Sequence, residues 1–158
     1  MVWLTLFGAM LSTTGFARTG FQTRLEGTIN DFTADLDGNG PWIIQAPWTL
    51  DIQGSSGKAD FSAALNMARS DNPARAAHTH HVGLSNGDVT PITGGFRITG
   101  AATMTSNGNQ AGFSGSEITI EVVGGNSVPL SNVRLTFGGA SAAHFGAEPL
   151  DGVVTRAR

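Results

Sequence analysis

A chain of 158 residues is one domain's worth, enough to bury a single core. Charged residues make up 13% of it, about half the usual share, which argues against long helices with charged faces; the net charge of −3 argues against a general nucleic-acid binder. The absence of cysteine excludes disulfides, cysteine nucleophiles and thiolate metal sites.

The chain opens on an apolar stretch, Val2 to Ala17, with no charged side chain before Arg18. Gly15-Phe16-Ala17 has the small-x-small pattern of a signal-peptidase site, and the stretch falls short of the about 20 residues a stable membrane span needs. The expectation is a signal peptide over 1–17, a single β domain over 18–158, and a secreted or periplasmic protein. The alternatives for the first stretch are a buried strand or an interfacial anchor.

Leu25, Gly27 and Ile29 share one parity, and Phe32, Ala34 and Leu36 the other, which predicts a bulge or break near Asn30-Asp31. Asp37-Gly38-Asn39-Gly40-Pro41 reads as a turn. From Asp35 it also matches the first half of a calcium-binding loop, but Ala46 stands where the twelfth-position carboxylate is required, so the turn is the better reading. Trp42-Ile43-Ile44 and Trp48-Leu50-Ile52 predict strand, with an edge or kink at Pro47. Ala59, Phe61, Ala63, Leu65 and Met67 alternate with mostly polar or small residues, which favours strand over the helix that the alanines also permit.

After a connection through Pro73 comes Ala77-His78-Thr79-His80-His81-Val82-Gly83-Leu84. On a strand, His78, His80, Val82 and Leu84 face the core together, while His81 faces out. Asn86-Gly87-Asp88 predicts a hairpin turn. Phe96 to Met104, Ile118 to Val123 and Val133 to Phe137 predict further strands, and Ser106 to Gly112 a polar loop. Ala140 to His144 predicts one helical turn, and Val153-Val154 a last strand. Short strands punctuated by turns, about eight to ten in number, predict an all-β fold: a single antiparallel β-barrel, with a β-sandwich as the alternative.

The chemistry concentrates at His78-Thr79-His80. Two imidazoles on one strand face can ligate one divalent transition metal, zinc or copper, once a third ligand joins them. His144, Asp60, Glu121 and Glu148 are the candidates, with His144 placed first. The competing reading makes the histidines polar residues bonded at a strand end or within an internal network. Ala76-Ala77-His78-Thr79-His80 resembles the A-x-H-x-H signature of secreted β-domains of the CHRD (chordin-like) type, over those five residues alone.

Trp42 and Trp48 could form a stacking platform for a small-molecule ligand, although core packing is the commoner use of a strand tryptophan. Gly112-Phe113-Ser114-Gly115-Ser116 lacks the last glycine of a nucleophile elbow. Three functions are weighed. The first is an exported barrel that binds a metal ion or small molecule at His78 and His80. The second is a metal-dependent enzyme with Glu121 or Glu148 as base. The third is a homo-oligomer that assembles through poorly guarded sheet edges.

Overall fold

The computed structural model describes residues 22–33, 41–54, 56–72, 74, 76–124 and 130–158. The expected signal peptide and the Asp35–Gly40 loop lie outside them. The described chain is almost entirely strand, with one short helix, and eight of its strands close an antiparallel β-barrel.

Strand β1 (Gln22–Phe32) pairs with β2 (Trp42–Gln53), β2 with β3 (Lys58–Arg69), and β3 with β4 (His78–Ile92). The wall continues through β5 (Gly95–Ala101), β8 (Glu117–Val123), β9 (Asn132–Phe137) and β10 (Leu150–Ala157), which returns to β1. Strands β6 (Thr103–Ser106) and β7 (Asn109–Gln110) lean on the first half of β4. Among the described residues each of the eight wall strands pairs on both sides, while β7, paired with β6 alone, ends the sheet.

Alternation does what a small barrel requires: every second side chain fills the interior. In β3 the inward set Ala59, Phe61, Ala63, Leu65 and Met67 is buried, so the segment is strand and not helix. In β4, His80, Val82 and Leu84 are buried, whereas His81 points outward opposite Ala64. Pro47 is exposed within an unbroken β2, and pairing to β3 lapses only at Ala46 and Pro47.

Four expectations are corrected. Asn86-Gly87 is not a hairpin turn but a bulge inside β4, where the register against β3 shifts by one residue. Asn86 takes a φ of 57°, its N–H donates to the Asp60 carboxylate at 2.8 Å, and Gly87 packs on Leu84 and Ile98. The reversal comes later, at Thr93-Gly94. Phe96 to Met104 is two strands, because at Ala102 the chain leaves the second half of β4 and moves to its first half. The expected polar loop from Ser106 holds the two-residue strand β7. In β1 the irregularity falls between Glu26 and Gly27, not at Asn30-Asp31, where pairing with β2 is continuous. Gly27 sits under the Trp48 indole; a Cβ there would lie 2.1 Å from the Val153 carbonyl oxygen and 2.4 Å from the ring.

Helix α1 (Gly139–Phe145) follows β9 and the turn over 111–116 precedes β8, and each brings a phenylalanine ring against His80 near the start of β4.

Candidate metal centre

The start of β4 is covered by these two segments. His80 points into the barrel with 2% of its surface exposed, and His78 sits above it, half-buried. The third ring comes from α1. That helix ends as Ala142-Ala143-His144-Phe145-Gly146, and Gly146 takes a φ of 93° while its N–H donates to the Ala142 carbonyl at 2.9 Å. A left-handed residue suits glycine and turns the chain into β10. Phe145 anchors the helix: it is buried and stacks on Phe137 at 4.0 Å between ring centroids. Ser141, also buried, donates its hydroxyl to the Gly138 carbonyl at 2.8 Å. These two contacts pin α1 so that His144 faces β4.

The result is a cluster of three imidazoles. His144 Nε2 lies 2.8 Å from His80 Nε2 and 3.4 Å from His78 Nε2, and one ligand atom from each ring falls within 4.8 Å of the others. Around the cluster stand aromatic rings. Phe113 stacks on His144 at 5.2 Å, Phe145 meets His80 edge-on at 5.1 Å, and Trp42 meets His78 edge-on at 5.1 Å.

Backbone carbonyls fix the tautomers. A carbonyl oxygen only accepts, so His78 Nδ1 donates to the Ala76 carbonyl at 2.7 Å and His80 Nδ1 donates to the Thr105 carbonyl at 3.1 Å. Both rings, when neutral, therefore turn an Nε2 lone pair toward the centre. His144 Nε2 faces both lone pairs, so in the metal-free protein it carries the hydrogen and donates to His80. Metal-binding histidines commonly use this arrangement, with the far nitrogen hydrogen-bonded and the near one free.

Two of the three rings favour the neutral form. Burial first, then the neighbouring His144, push the His80 pKa from 6.5 down to about 4, against the opposing pull of the Thr105 carbonyl. Burial, and after it His78, also lower the pKa of His144. Neutral imidazole is the ligating form. Zinc–nitrogen bonds of about 2.0–2.1 Å in tetrahedral geometry set nitrogens about 3.4 Å apart. The His78–His144 spacing already has that value, and His80 and His144 need to part by about half an ångström. The three rings could therefore hold a metal ion.

The other sequence candidates lie elsewhere. Asp60 is on β3 at the far end of the barrel, bonded to Gln53 and Asn86. Glu121 is on the outer wall, bound to Arg97 at 2.6 and 2.8 Å. Glu148 is exposed in the loop after α1. Neither glutamate belongs to the three-ring cluster. Trp48 is 2% exposed and stacks on Phe61 in the core, so it offers no platform face; Trp42 alone reaches the histidine cluster. The buried indole Nε1 of Trp48 has no hydrogen-bond partner. The Ser114 hydroxyl accepts the Met104 N–H at 2.9 Å in the turn that delivers Phe113 to His144. Phe113 and Phe145, which build the walls, carry no signal in the sequence beyond being aromatic residues next to a turn and a histidine.

Compared with known families, curated proteins and solved structures, the chain matches none. No helix among the described residues is long and apolar enough to cross a membrane.

Proposed function

We propose that this barrel binds one divalent first-row transition metal, zinc or copper, through Nε2 of His78, His80 and His144. One observation carries the reading: three imidazoles from two separate elements converge, two of them with Nδ1 committed to a backbone carbonyl. A buried hydrogen-bonded network would explain one such pair. It does not require three rings to meet through one nitrogen each. The donor set suits these metals, since imidazole favours zinc and copper over magnesium or calcium.

The test is calorimetric titration of the full, metal-free chain with Zn²⁺ and Cu²⁺. One equivalent is expected for at least one ion. His78→Ala, His80→Ala and His144→Ala should each weaken binding by more than the roughly 10- to 100-fold that loss of an outer hydrogen-bond partner causes. His81→Ala should bind like the parent. Absent binding, or binding that survives loss of all three rings, overturns the proposal.

A further inference from the structure

We infer that the fourth coordination position of this centre takes a small monoanion from solution, such as a short carboxylate. The inference rests on the metal reading above and adds to it the class of ligand that completes the site.

Charge balance is the first argument. The three rings supply lone pairs and no negative charge, so a divalent ion would enter with its charge uncompensated. Beside a ring as buried as His80, that is costly unless an anion accompanies it. Among the described residues, no carboxylate joins the cluster. Glu121 is bound to Arg97 on the outer wall, and the Asp71 carboxylate is gripped by Arg69 through contacts of 2.8 and 2.7 Å. Asp60 lies at the opposite end, and Glu148 is exposed outside the cluster. The walls are Phe113, Phe145 and Trp42, which carry no anionic atom.

Shape is the second argument. Three nitrogens drawn to tetrahedral spacing around one ion would occupy one face of the polyhedron and leave a single vertex. His80 and Phe145 are buried beneath the cluster, whereas His78 and His144 are half-buried. A ligand from solvent would therefore reach a bound ion past His78 and His144, the two rings that keep some exposure. Trp42 and Phe113, in contact with those rings, would border that approach with apolar surface and favour a small ligand.

The experiment loads the full chain with Co²⁺, whose visible absorption reports coordination, and adds azide, acetate or the neutral analogue acetamide. The expected result is a saturable change in band position and intensity with azide and with acetate, at one anion per cobalt, and none with acetamide. The His144→Ala variant should lose the cobalt spectrum. Cobalt that binds through the three histidines but ignores both anions, or answers acetamide equally, overturns this inference and leaves the metal reading intact. Failure of cobalt to bind while zinc or copper does moves the same competition to Cu²⁺ absorption, with the same two outcomes. Failure of all three metals overturns both.

Discussion

Acidification of the metal-free protein should cost it stability well before ordinary carboxylates titrate. His80 has a pKa of about 4 in the folded chain and 6.5 when unfolded. Between those values the unfolded chain holds more protons, so stability falls as pH falls. The contribution is fully present above pH 6.5 and is gone once pH drops through about 4. A shift of this size corresponds to at most about 3 kcal/mol, of which about 2 kcal/mol should be lost by pH 5. His144 adds in the same direction. Against a total of about 5–15 kcal/mol for a typical domain, that is readily measured. The assay is urea unfolding in the presence of a chelator at pH 7.5 and pH 5, for the parent and for His80→Gln. The glutamine amide can still donate to the Thr105 carbonyl but cannot take up a proton. The variant should keep only the smaller loss from His144. Equal losses in the two proteins would refute the idea that burial holds His80 neutral.

The remaining expectations concern helix α1, the wall and the free surface. Phe145→Ala should cost about 3–5 kcal/mol by emptying the space against Phe137. Phe145→Leu should cost less, yet still weaken zinc binding by loosening His144, as read by thermal unfolding and metal titration. Gly27→Ala should cost more than about 2 kcal/mol, because its Cβ would meet a backbone oxygen that has no room to withdraw; urea unfolding measures it. His81→Ala should fall within about 0.5 kcal/mol of the parent, since the ring points outward into solvent. Saturating zinc at about 100 times its dissociation constant should stabilise the parent by about 2.7 kcal/mol, and a chelator should reverse the gain.

The barrel and the pair of inward histidines were legible because both rest on a period of two. The unbroken alternation from Ala59 to Met67 overrode the helix propensity of its alanines, and Val82 and Leu84 showed which face of β4 His78 and His80 share. Asn86-Gly87 misled because a bulge and a hairpin turn want the same residues; only the Asp60 carboxylate across the sheet distinguishes them. Trp48 misled because a strand tryptophan looks the same whether it faces the core or a ligand, and its parity with Leu50 favoured the core throughout. His144 was among the candidates, but its approach depends on Phe145, stacked on Phe137, seating the helix against β4. That is a tertiary fact, and no local pattern encodes it.

X-ray absorption at the metal edge of the zinc- or copper-loaded protein tests the central claim most directly. Three imidazole rings bound at about 2.0–2.1 Å, with one further oxygen or nitrogen donor completing the shell, are the expected result for zinc. A shell of oxygen atoms, or a fit with fewer than three imidazoles, would contradict it.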